Sequence, residues 1–156
     1  MIENDIIFFL NTNGVFLLIG FAFALLAIRK KDHEVLTHAI VVFVISVVVS
    51  ILLKQLFNRD RPFETLGVPA KAGLSIFQSF PSAHAAMSFA VSTTVALHRR
   101  KIGIFFLILA TLVSLGRVAA GVHYPSDIAF GILVGVTISL FFDTFHTRRT
   151  KKRLTR

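Results

Sequence analysis

The chain has no cysteine and only eight Asp and Glu among its 156 residues, and both scarcities narrow its chemistry. Without thiols there is no disulfide framework, no cysteine nucleophile and no cysteine-ligated zinc. The long apolar stretches carry no Asp or Glu at their centres, which removes the intramembrane acidic relay a proton-coupled carrier would use. No Lys or Arg precedes the first apolar stretch, where Glu3 and Asp5 stand instead. The basic start of a cleaved signal peptide is therefore missing, and the N-terminus is expected to stay attached and face outward. Internal repeats are absent, and so are low-complexity segments beyond a short basic tail.

Apolar residues dominate what is there. Hydrophobic residues make up 54% of the chain and the mean hydropathy is +0.76, too apolar for an ordinary soluble domain. They concentrate at Gly14 to Ile28, Val35 to Phe57, Ser82 to Leu97, Ile102 to Val122 and Ile128 to Phe145. About 20 apolar residues cross a bilayer as a helix, so the second, fourth and fifth stretches qualify alone and the other two need their flanks. The expected fold is all-α: a polytopic transmembrane helix bundle of about five spans. Ile6 to Leu10 either lengthens the first span or forms a short interfacial helix before Asn11, Thr12 and Asn13. Residues 1–145 read as one membrane-embedded domain and 146–156 as a basic cytoplasmic tail.

Charge orients this bundle. If successive spans alternate, one side collects Arg29, Lys30 and Lys31, then Arg99, Arg100 and Lys101, then Arg148, Arg149, Lys151, Lys152, Arg153 and Arg156, twelve of the 17 Lys and Arg. By the positive-inside rule that side is cytoplasmic. Lys54, Arg59, Arg61, Lys71 and Arg117 fall on the outer side. The net charge of +9 is then a signal of topology and of anionic membrane lipids as neighbours, with no nucleic acid implied.

Three outer clusters carry chemistry. The first is Lys54, six residues, then Arg61 and Pro62. On a continuous helix a seven-residue offset is almost two turns, about 10 Å, so both cations would share a face and could converge on one anion; Pro62 would mark the exit. Read blandly, Lys54 snorkels and Arg61 is an interfacial cation. The second is Phe80, Pro81, Ser82, Ala83 and His84, a proline-led helix start whose open N–H groups and dipole suit an anion. Ser82 adds a hydroxyl and His84 a mobile proton, although such a start is common in any helix. The third is Gly116 and Arg117, five residues, His123, three residues, Asp127. With Pro125 opening the fifth span, Asp127 can reach back to one imidazole nitrogen and leave the other nucleophilic. A structural His–Asp clamp is the alternative.

Together these clusters resemble the three signature motifs of the type-2 phosphatidic acid phosphatase superfamily, which also includes the vanadium haloperoxidases. The match spans about residues 50 to 135. The resemblance implies a metal-independent phosphatase without cofactors that works through a phosphohistidine. His123 would be the nucleophile, Asp127 its orienter and His84 the acid for the leaving oxygen. Lys54, Arg61, Ser82 and Arg117 would hold the phosphoryl oxygens with the N–H of Ala83, and no metal ligand is assigned. Two positions depart from the family pattern: Ala83 replaces a glycine, and Gly116 stands where serine is usual.

A two-metal hydrolase needs several converging carboxylates, and near the outer motifs only Asp60, Glu64 and Asp127 are available. The rival from another class is a phosphate or phospholipid carrier that binds with the same cations; a structural subunit leaves the clusters unexplained. The implied substrate is a lipid phosphate met at the outer face. Undecaprenyl pyrophosphate leads by resemblance to short bacterial phosphatases, ahead of phosphatidylglycerophosphate, phosphatidic acid and lipid A phosphate. Phe57, Phe63, Phe77 and Phe80 are placed to line its route, and Ala83, Ala85, Ala86, Ser88, Gly131 and Gly135 suggest close helix packing.

Overall fold

A computed structural model describes residues 2–28, 32–65, 67 and 78–154, with side chains described between 13 and 145. Six helices follow one another among the described residues: α1 (Ile2–Ile28), α2 (His33–Phe57), α3 (Pro62–Thr65), α4 (Ala83–His98), α5 (Arg100–Ala119) and α6 (Pro125–Leu154). No strand occurs among the described residues. Helix α1 runs unbroken through Asn11–Asn13, so Ile6 to Leu10 lengthens the first helix and forms no separate interfacial one. The backbone of α6 likewise stays helical to Leu154, through the basic stretch after Phe145.

The polarity of the bundle is inverted relative to a water-soluble protein. Leu52, Leu56, Ile108, Leu112, Leu133 and Phe141 are exposed, whereas Ser46, Ser50, Ser88, Ser92, Ser114 and Ser139 are buried. Hydrocarbon removes any reason to bury the large apolar residues, and of the six hydroxyls those of Ser46, Ser88 and Ser139 are bonded within the bundle. Helices α2, α5 and α6 each contain a segment long and apolar enough to cross a membrane, and Asn13–Ile28 of α1 is a shorter apolar one.

Helix α4 is the axis of the bundle. It has 16 residues, about 24 Å at 1.5 Å per residue, less than a bilayer core, and its sides from Ala85 to Val95 are buried almost throughout. Small side chains make this possible. A Cβ on Gly131 would lie 2.6 Å from the Ser82 carbonyl oxygen, and one on Gly135 would lie 2.3 Å from that of Ala86. Backbone therefore meets backbone along the α4–α6 seam, the close approach that a Gly-x-x-x-Gly spacing allows. Gly103 does the same on the other flank, where a Cβ would lie 2.1 Å from the Cα of Ala96.

Short connections set the alternation of directions. Arg99 alone joins α4 to α5, and its guanidinium bonds Asp32, which is 1% exposed in the α1–α2 connection. That ion pair closes the end of the bundle opposite the motifs. One turn further in, Thr94 and Ser139 share a hydroxyl bond of 2.9 Å.

The seam generates a contrast that can be measured. Gly135→Ala should destabilise the detergent-solubilised protein by about 1–3 kcal/mol, the usual cost of overpacking, seen as a lower thermal unfolding midpoint. Gly116→Ser should leave that midpoint unchanged or slightly higher, since nothing stands within 4 Å of its Cβ position and serine is the better helix former.

Candidate active site

The third motif forms where α5 turns into α6. After Ala119 the chain makes a tight turn with Gly121 at φ 70°, a left-handed conformation that suits a residue without a Cβ. Pro125 then opens α6 and puts Asp127 in its first turn. The carboxylate is fully buried and heavily bonded. It accepts from the Tyr124 N–H at 2.9 Å, from Arg59 Nη1 at 2.8 Å and from the Ser79 hydroxyl. His123 Nδ1 lies 3.4 Å from Asp127 Oδ2, a loose contact of the kind that tightens when a site is filled. A carboxylate there demands the proton on Nδ1, which leaves Nε2 with the lone pair.

The first motif arrives by a different route from the one its spacing predicts. Helix α2 stops at Phe57, and Asn58 caps it in the left-handed region with φ 41° and ψ 45°. Lys54 and Arg61 therefore do not share a helical face. Their heads are brought together by the reversal of the chain, and Pro62 opens α3 where it was expected to mark the helix exit. Lys54 Nζ donates to the carbonyls of Gln78 and Ser79. Arg61 is 3% exposed and donates to the Val122 carbonyl at 2.8 Å, beside His123. Its own N–H is held by Glu64 at 2.8 Å.

The second motif also differs in one detail. Ser82 is the N-cap of α4, its hydroxyl accepting from the Ala85 N–H, so Pro81 stands outside the helix and not in its first turn. The Phe80–Pro81 peptide is cis. Ser82 N–H donates to the Asp127 carbonyl at 3.1 Å, tying the start of α4 to the start of α6. Ala83 and His84 follow, and the Phe16 ring stands edge-on to the His84 imidazole with centroids 6.3 Å apart.

All eight residues singled out from the sequence thus meet at one end of the bundle. Arg117 is buried in the last turn of α5, and the charges of Lys54, Arg61 and Arg117 act on both His84 and His123. Two contributors were missed. Arg59 bridges Asp127 and Ser126 and lies 4.0 Å from the Tyr124 ring centroid; Ser79 anchors Asp127 from the loop. Neither sits at a spacing that announces the contact, because both reach Asp127 across more than 45 residues of chain. Phe57, Phe80 and Phe130 form a ring cluster, with centroids 5.0 and 4.8 Å apart. Phe77 falls outside the described residues.

The assembly can bind and transfer a phosphoryl group. Three buried cations oppose its charge, a helix start offers N–H donors, and an oriented imidazole presents a lone pair. Of the three carboxylates near the motifs, Asp127 is bonded by four partners, Glu64 accepts the Arg61 N–H, and Asp60 is exposed. The residues present do not compose a two-metal site.

Known proteins resemble this chain. The PAP2 superfamily model matches residues 35–151. The bacitracin transport permease protein BcrC of Bacillus licheniformis is 32% identical over 140 residues, covering 88% of this chain and 69% of that protein. The undecaprenyl-diphosphatase BcrC of Bacillus subtilis is 26% identical over 132 residues, covering 82% and 68%. The crystal structure of Aquifex aeolicus LpxE superposes with a TM-score of 0.75 at 26% identity, covering 92% of this chain and 84% of that one.

Burial lowers the His123 imidazole from the ordinary 6.5 to about 4; repulsion from Arg117, Arg61 and Lys54 adds to the fall, while the bond to Asp127 opposes it. The neutral ring is therefore retained far into the acid range. Histidine resonances of isotope-labelled protein should show His123 titrating near 4, and Asp127→Asn, by removing the opposing bond, should move it lower still. A midpoint at or above 6.5 in the wild type would contradict this electrostatic picture.

Proposed function

The chain belongs to the PAP2 superfamily, and from that premise we propose that it hydrolyses undecaprenyl pyrophosphate to undecaprenyl phosphate and phosphate at the outer face of the membrane. The observation that carries the reading is the convergence of Lys54, Arg61 and Arg117 on a histidine whose Nδ1 faces a fully buried carboxylate.

His123 Nε2 attacks the terminal phosphorus. The bond from that phosphorus to the bridging oxygen breaks, and the electron pair leaves on undecaprenyl phosphate as His84 supplies a proton to the departing oxygen. Lys54, Arg61, Ser82, Arg117 and the Ala83 N–H stabilise the transferring group. Water, deprotonated by His84, then attacks the phosphohistidine; the P–N bond breaks, phosphate leaves and both histidines return to their starting state.

Other features fit a substrate with a long hydrocarbon tail. A crevice of about 440 Å³ lies between α1 and α5, lined by Gly14, Leu17, Phe21, Phe105, Leu109 and Val113. Val113 is one helical turn from Arg117, and Phe16 on α1 contacts His84. An isoprenoid can lie there while its diphosphate meets the cations. Relatives named for undecaprenyl pyrophosphate favour this lipid over phosphatidylglycerophosphate, phosphatidic acid or lipid A phosphate. The word permease in one relative's name keeps a carrier as the second reading, and release of phosphate separates the two.

In proteoliposomes supplied with undecaprenyl pyrophosphate, His123→Ala should lower phosphate release by ~1000-fold or more, the scale on which a lost nucleophile acts. Uptake without release, or near wild-type turnover by the variant, would favour the carrier. Chelator in excess should leave wild-type turnover intact, and vanadate should inhibit it.

Topology is tested separately. A single cysteine at the exposed Asp60 should react with an impermeant thiol reagent in intact cells, and one at Lys101 only after permeabilisation. The chain's own lack of cysteine makes the readout clean, and the opposite pattern would place the site on the cytoplasmic face.

A further inference from the structure

At the end of the bundle away from the phosphoryl site, three potential ligands from three helices come together. They are His38 on α2, His98 at the end of α4 and Asp143 on α6, and one donor atom from each lies within 4.8 Å of the others. His38 is 5% exposed. The two imidazoles meet edge to face with centroids 5.7 Å apart, and Phe142 packs on His38 at 5.3 Å.

The orientation of His98 is what distinguishes this cluster from a chance meeting of polar groups. Its Nδ1 is 3.0 Å from the Thr94 carbonyl oxygen. A carbonyl can only accept, so that nitrogen carries a proton and Nε2 is the position open to a metal ion or a second proton. Nε2 faces Asp143 Oδ1 at 3.5 Å. A cation at Nε2, whether a metal ion or a proton, makes that contact attractive. A backbone carbonyl on the far nitrogen is also the arrangement that ordinarily orients a metal-bound histidine.

We propose that His38, His98 and Asp143 form a binding site for a first-row divalent metal ion, zinc above all, that joins the ends of α2, α4 and α6. Two imidazoles and one carboxylate suit zinc, with water in the fourth position. Around a tetrahedral zinc with bonds of ~2.0–2.1 Å the ligand atoms stand about 3.3 Å apart, so the cluster contracts slightly, within the reach of side-chain torsions. The three helices it links carry Lys54, Ser82 with His84, and Asp127 at their other ends. The ion holds the relative register of those helices and takes no part in phosphoryl transfer. It is accordingly consistent with turnover that survives chelation, and it stands whatever lipid the other end hydrolyses.

The test uses full-length protein purified through a tag without histidine, stripped with chelator and dialysed against zinc. One tightly held zinc per chain is expected, with a rise in the thermal unfolding midpoint on zinc addition. The double variant His84→Ala/His123→Ala should retain that zinc, whereas His98→Gln and Asp143→Asn should each weaken binding at least tenfold and abolish the thermal shift. His98→Cys guards against loss of fold: loaded with cobalt, it should keep the metal and gain thiolate-to-metal charge-transfer absorption. Wild type without stoichiometric zinc, equal binding by His98→Gln and wild type, or loss of zinc in the His84→Ala/His123→Ala variant would each overturn the proposal. A cobalt-loaded His98→Cys without the thiolate band would do so too. The outcome then left is a plain His98–Asp143 ion pair.

Discussion

The buried carboxylate of Asp127 is the point to which the rest of the molecule is referred. Burying a carboxylate is costly unless its lone pairs are filled, and here they are filled from every direction. Arg59 arrives from the chain leaving α2, Ser79 from the loop before α4, and Tyr124 and His123 from the turn before α6. Its backbone carbonyl takes the N–H of Ser82 at the start of α4. Segments far apart in sequence thus converge because one acidic group has to be satisfied. The orientation of His123 is a by-product of that demand.

Near this hub two of the cations donate to backbone carbonyls. Lys54 bonds Gln78 and Ser79, and Arg61 bonds Val122. Carbonyl partners position a cation without neutralising it, so the positive potential remains available to an incoming anion. Arg59 meets the carboxylate directly, and Lys54, Arg61 and Arg117 are the cations proposed to take the anion. This division of labour between cations of one type is a matter of partner chemistry and not of residue identity.

Much of this was legible in the chain. The His123–Asp127 offset of four across a proline-led helix start is a local relation, and local relations survive folding. The small residues facing one another across α4 and α6 also announced their contact. The Lys54–Arg61 relation was read wrongly in its geometry, because the pattern gives no warning that Asn58 would adopt a left-handed conformation and end α2 early. Arg59 and Ser79 escaped notice since their contacts with Asp127 exist only in the folded chain. His38, His98 and Asp143 likewise carry no common spacing: each stands on a different helix, and only the packing of those helices relates them.

The seam between α4 and α6 has a mechanical consequence. Where two helices touch through side chains, their separation can drift as rotamers change or as the surrounding lipid thickens and thins. At Gly131 and Gly135 the opposing surface is the α4 main chain itself, which has almost no compliance. The spacing of Ser82 and Asp127 is thereby set by van der Waals contact between main chains and depends little on side-chain rotamers or on the fluidity of the surrounding bilayer. Helices α4 and α6, which carry His84 and Asp127, are held at this spacing even though α6 also presents Leu133 and Phe141 to lipid.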